Sequence, residues 1–242
     1  IIDALEAGGK GTITVASACT MAGIVAGCIT STGLASKLLR AIVSASGGVM
    51  IVALLLTMLC CIVLGMGVPT TATYCIMAAT CAPILMSPEI GVEMLAAHFF
   101  VFYFGIVADI TPPVALAAYA GAAIAKAGPM KTAFNASRLA IAAFIVPYII
   151  AMNPAMLFIN TTIPEVVMIT ITSIIGIFGV AAGLSGFVFR DMKWWERILC
   201  IVGGLTLLVP GSLTDLIGLV LVGAVCVLGY QAAKKEKEML SA

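Results

Sequence analysis

Between Arg40 and Glu89 the chain runs for 48 residues without a charged side chain. No other feature restricts the fold so tightly. Such a run cannot clothe a water-facing surface, and a bilayer is the solvent that accepts it. A helix needs about 20 apolar residues to cross a hydrocarbon core of ~30 Å, so two full spans would barely fit. Gly65-Met66-Gly67-Val68-Pro69 interrupts the stretch near its middle. The arms on either side hold about 16 and 14 residues, or roughly 24 and 21 Å at a helical rise of ~1.5 Å per residue. Two short arms around a Gly/Pro break predict a re-entrant hairpin, 49–86, that turns around inside the membrane.

The composition supports that choice of solvent. Charged residues make up 10% of the 242, hydrophobic residues 62%, and mean hydropathy is +1.22. A soluble domain carries about 25% charged residues. The formal net charge of +1 supplies no basic face for phosphates, which excludes a nucleic-acid binder. The expected class is an all-α polytopic membrane protein with room for roughly six to eight passes or hairpin arms. The opening Ile1-Ile2-Asp3-Ala4-Leu5-Glu6 reads like the interior of a protein, so a fragment of a longer chain is expected. Every one of the eight cysteines lies in an apolar run, without His or carboxylate at metal spacing, and is read as a small packing residue.

Charges and breaks divide the remainder. Residues 12–34 form a first span rich in small residues that permit close helix approach. An amphipathic interfacial arm, 36–46, carries Lys37 and Arg40. Residues 94–126 are again too long for one plain span and contain Asp109-Ile110-Thr111-Pro112-Pro113. Proline lacks the N–H donor and pushes its predecessor out of the helical region, so two half-helices, 94–107 and 114–126, are expected around an unwound stretch. A span at 137–152, kinked at Pro147, follows, then a polar linker over 153–164 and a clean span over 165–188. Residues 190–197 read as a basic, aromatic interfacial loop. Two short helices flank Pro210-Gly211, and a solvated tail, Lys234 to Glu238, ends the pattern. If the hairpin opens to the outside, ten of the 12 Lys and Arg fall on the inner face. Only Lys37 and Arg40 lie outside, and the positive-inside rule selects this orientation.

Irregular backbone within a membrane is tolerated only where it is buried in protein or lines a cavity. Half-helix ends present free N–H groups to anions and free carbonyls to cations, which is how ion-coupled transporters build sites near the bilayer midplane. Thr70, Thr71 and Thr73 follow the first break and add hydroxyl oxygens, a hard donor set that suits Na⁺. Asp109 is the one ionisable residue well inside a predicted span. It could ligate a cation, carry a proton, cap the second half-helix or reach the interface. With the three threonines it completes the candidate substrate contacts. His98 and the aromatic run Phe99 to Phe104 are read as structural, and Trp194-Trp195 as an interfacial anchor. No nucleophile with a base lies near either break, so no enzyme is expected.

GMGVPTTATY (65–74) with APILM (82–86), AAHFFVFYFGIVADITPPVALAAYAG (96–121) and NPAML (153–157) resemble the large membrane subunit of TRAP (tripartite ATP-independent periplasmic) transporters, in particular the fused permease type. The resemblance covers about residues 1–158 and is strongest at GMGVPTT and ITPPVALAAY. Residues 159–242 resemble, more weakly, the extra membrane helices some fused permeases carry. The resemblance implies a bacterial inner-membrane secondary importer of small organic acids, coupled to Na⁺ and moving by an elevator mechanism. It implies two inverted repeats, of which this chain matches the C-terminal one. By motif, a Na⁺ site would fall on Gly65, Gly67, Val68, Pro69, Thr111, Pro112 and Pro113, mostly through backbone carbonyls, with no other cofactor. Implied partners are a periplasmic substrate-binding protein, a small membrane subunit, and the first repeat, which this chain lacks. Alternatives are another ion-coupled anion carrier with hairpins, or a non-transporting membrane scaffold.

Overall fold

The computed structural model describes residues 2–209 and 211–241, with twelve α-helices and two 3₁₀ turns among them. The chain divides into two compact units, residues 1–151 and 152–242. Beyond helix, the described residues contain one isolated bridge, between Phe187 and Asp191. Ile163–Ser185 and Leu213–Lys234 are each long and apolar enough to cross a membrane, and two bent pairs qualify when each pair is taken as one span. The protein is an all-α polytopic membrane protein.

In the first unit, α1 (Ile2–Ser31) leads into α2 (Leu34–Ser46). α1 begins ahead of the expected span, because an isolated Asp3 and a Lys10–Glu6 pair at 2.6 Å sit comfortably on an exposed helix. α2 is the expected amphipathic arm: Ile42 and Ser46 are buried, and Lys37 and Arg40 are exposed. The hairpin then forms as α3 (Met50–Leu64), a tip at 65–69, α4 (Thr70–Thr80) and the short α5 (Ala82–Leu85). The Cys81 thiol contacts Cys60 Sγ at 3.8 Å from one arm to the other. α1 packs on α4, where Ala22, Ala72 and Ile76 form a small buried cluster.

α6 (Met94–Val107) packs against both hairpin arms and ends in a 3₁₀ turn, Ala108–Ile110. Its start is capped by the Glu93 carboxylate, which accepts from Leu95 N at 2.7 Å. After an irregular stretch the chain resumes as α7 (Leu116–Ala125), so the broken helix has the expected form with a longer break. α8 (Pro129–Leu139) packs on α7 through Ala115, Ala118 and Ala133.

The expected span at 137–152 divides. Residues 137–139 close α8, α9 runs Ile141–Met152, and the two helices are bent by 42° at Ala140. The helix continues through the buried Pro147, where a kink was expected. The division follows from the side chains. Ser137 is drawn to a carbonyl of the broken helix and Arg138 is exposed, so this turn belongs to an amphipathic helix and not to the apolar one after it. The aromatic run on α6 is partly core. Phe100 and Phe104 are fully buried and meet Tyr148 of α9 at ring-centroid distances of 5.3 and 5.8 Å.

The second unit holds α10 (Ile163–Ser185), α11 (Trp194–Thr206) and α12 (Ser212–Ser241). α10 and α11 meet through glycines: a Cβ built on Gly204 would lie 2.6 Å from the carbonyl oxygen of Gly176 and 2.7 Å from Val180 N. Small residues let two backbones approach in lipid, where dispersion drives helix pairing. Two expectations are corrected here. Trp194 to Arg197 form the first turn of α11 and are not loop, because Glu196 reaches back to accept from Lys193 N at 2.7 Å. Of the two short helices, α12 is in fact 30 residues long. Pro210, at the intervening break, and the side chains of Lys235, Glu236 and Lys237 lie outside the described residues. Glu196 also binds Arg190 Nη2 at 2.5 Å, and Arg197 donates to the carbonyls of Gly183 and Leu184 that end α10.

Candidate functional site

The two breaks meet. Gly65 opens the hairpin tip, and a Cβ there would lie 2.9 Å from Ala108 Cβ, 3.1 Å from the Cys61 oxygen and 3.2 Å from Met77 Cε. Only hydrogen fits between the tip and the 3₁₀ turn that starts the second break. Three residues before Ala108, Gly105 of α6 receives Thr73, with its methyl 3.3 Å from the corresponding Cβ position. Missing side chains on Gly65 and Gly105 thus seat the broken helix on the hairpin. Gly67 has a different task. Its φ of +74° is a left-handed conformation that favours glycine, and nothing lies within 4 Å of its Cβ position.

The tip backbone is held from within. Gly65 N donates to the Cys61 oxygen at 2.8 Å, and the Thr73 hydroxyl to the Val68 oxygen at 3.1 Å. Thr73 is fully buried, whereas Thr70 is half-buried and Thr71 exposed. At the second break, the Thr111 hydroxyl donates to the Val107 oxygen at 2.6 Å. Ser137 Oγ donates to the Ile110 oxygen at 2.9 Å, and the Tyr119 hydroxyl to the Pro113 oxygen at 2.5 Å. The Pro112–Pro113 peptide is cis, and Ala115 adopts φ 38°. Unwinding a helix frees carbonyls, and these three hydroxyls occupy one lone pair on each of three of them. A carbonyl retains a second lone pair for a cation.

The half-helices that follow the breaks, α4 and α7, start at Pro69 and Ala115 without a side-chain cap. Their first amides therefore lack a side-chain acceptor. Asp109 lies in the 3₁₀ turn, half-buried, and does not cap α7, whose start is six residues further on. His98 accepts or donates a hydrogen bond with the Tyr74 hydroxyl at 3.0 Å, tying α6 to α4. Of the residues read from sequence, Gly65 is brought directly onto the second break. Gly67 faces open space, and Val68 is tied to Thr73. Pro69 starts α4, and Thr111, Pro112 and Pro113 form the unwound segment. Ala108, Gly105, Ser137 and Tyr119 also build this region. Tyr119 alone had a sequence signal, as the single polar side chain in an Ala/Gly helix.

Residues 1–166 match the family described as the tripartite ATP-independent periplasmic transporter, DctM component. The chain belongs to this family. Residues 166–221 match a domain of unknown function, DUF3394. Taken together the two matches fit the C-terminal portion of a TRAP large component. No curated protein matches the chain, and no solved structure matches it. The protein is thus a membrane component of a TRAP transporter, and the hairpin and broken helix lie inside the DctM match. The second unit corresponds mostly to the DUF3394 match.

Proposed function

We propose that this chain provides one hairpin-plus-broken-helix repeat of a Na⁺-coupled TRAP permease that imports small organic acids delivered by a periplasmic binding protein. The observation that carries the reading is the contact of Gly65 with Ala108, which presses one interrupted helix onto another. Backbone carbonyls of Gly65, Gly67, Val68 and Pro69 on one side, and of Thr111, Pro112 and Pro113 on the other, would form the Na⁺ site. The uncapped starts of α4 and α7, with Thr70 and Thr71 nearby, would receive the carboxylate. Thr73 acts as a strut of the tip. Asp109 borders the site, where its negative charge would favour the cation over the anion.

Na⁺ binding would tighten the tip against the break, and substrate binding to helix N-termini created by that geometry would follow. The partners in this reading are the binding protein, the small membrane subunit and the first repeat, in the bacterial inner membrane. The test is uptake of ¹⁴C-labelled succinate and pyruvate by proteoliposomes of the assembled transporter with its binding protein, over a Na⁺ titration. Thr111→Ala and Gly67→Leu should each raise the half-saturating Na⁺ concentration by about tenfold, the equivalent of ~1.4 kcal/mol. Unchanged Na⁺ dependence in both variants would remove these residues from the site, and uptake indifferent to Na⁺ would remove the coupling.

A further inference from the structure

The second unit contains a cavity of about 290 Å³ where α10 and α12 both begin. Glu165 and Asp215 lie on its wall, one in the first turn of each helix. Asn153 and Ser173 add polar groups, and Ile169 and Leu207 add apolar ones. Among the described residues, no Lys, Arg or His is part of the wall. A carboxylate in a first turn is favoured by the helix dipole, which accounts for the charges but not for an open volume between them. The Ser173 side chain is the independent observation. The residue is only 4% exposed and lines the cavity. Its neighbour Thr172 spends its hydroxyl on the carbonyls of Met168 and Ile169, whereas Ser173 makes no hydrogen bond among the described residues. The residue is buried but its hydroxyl opens onto the polar space of the cavity, where an N–H donor can reach it.

We propose that this cavity binds a small organic cation carrying one or two ammonium groups. The two carboxylates supply the charge, the Asn153 and Ser173 oxygens accept N–H donors, and Ile169 and Leu207 cover the carbon chain. A bare metal ion fits poorly. Among the described residues no group of three or more His, Cys, Asp or Glu side chains is placed to hold one, and the volume is many times that of an ion. The site lies in the unit apart from the hairpin, so it stands or falls independently of the transport reading.

The experiment is isothermal titration of the full chain in nanodiscs with 1,4-diaminobutane. The neutral and anionic isosteres 1,4-butanediol and succinate, and NaCl and MgCl₂ at matched ionic strength, are titrated alongside. Saturable 1:1 binding of the diamine alone is expected. Asp215→Asn and Glu165→Gln should each weaken it by about tenfold or more, and Ser173→Ala by about fivefold, because hydrogen bonds to charged groups are the stronger ones. Equal heats in empty nanodiscs, equal binding of the diol or succinate, or equal competition by Na⁺ or Mg²⁺ would overturn the proposal. Wild-type affinity in Ser173→Ala would do the same, and that variant removes one oxygen from a helical position and leaves the fold intact.

Discussion

Gly65→Ala tests the seat between tip and break at a single atom. The new Cβ would stand 2.9 Å from Ala108 Cβ, against a comfortable carbon–carbon separation of about 3.5–4.0 Å. Gly65 has φ −81°, so alanine meets no backbone strain there and the cost is all clearance. Overpacking of this kind costs about 1–3 kcal/mol, and a coupling of that size corresponds to roughly 5–150-fold in a linked affinity. Met77 Cε can swing away, but the Cys61 oxygen, at 3.1 Å, belongs to the helix itself and cannot. The variant should therefore push the 3₁₀ turn outward. Unfolding followed with a thiol-reactive dye, which reports exposure of the buried Cys61 and Cys81, measures the stability. Uptake in the assembled transporter measures the Na⁺ dependence. Ala108→Gly removes the other half of the clash, so Gly65→Ala/Ala108→Gly should recover at least about 0.5 kcal/mol relative to the sum of the single variants. Strict additivity, or a Gly65→Ala protein with unchanged stability and Na⁺ dependence, would refute the contact and the argument built on it.

Ser137→Ala and Tyr119→Phe each free a carbonyl of the unwound segment, at Ile110 and Pro113. Each should lower stability by about 0.5–1.5 kcal/mol in the same dye assay, the worth of one hydrogen bond. Thr57 is fully buried with a hydroxyl that has no partner. Thr57→Val, which keeps the shape, should be neutral or stabilising by about 1 kcal/mol, and a clear loss in melting temperature would mean that the hydroxyl is engaged. Gly204→Ala drives a Cβ against the backbone of α10. It should destabilise the second unit by about 1–3 kcal/mol, seen as earlier labelling of the buried Cys200 with labelling of Cys61 unchanged.

The two interruptions were legible because they are chemical. Gly65 to Pro69 and Thr111 to Pro113 forbid a continuous helix whatever surrounds them, by missing donors, fixed φ and absent side chains. The charge-free 48 residues demanded a bilayer, and the spacing of the break demanded short arms. The two departures have different causes, one a partner far along the chain and the other a cap within a single turn. The 137–152 span was divided because Ser137 finds the Ile110 oxygen, 27 residues earlier. Trp194 to Arg197 became helix because Glu196 caps its own turn and pairs with Arg190.

By itself, then, the sequence determined the solvent, the helical class and the two places where helix must fail, since each follows from what single residues and short runs can do. Only the tertiary structure decided that the failures meet. Gly65 against Ala108 and Gly105 against Thr73 are contacts between segments whose approach depends on volumes absent from both sides. A glycine in a sequence reports the missing side chain, not the neighbour that takes its place.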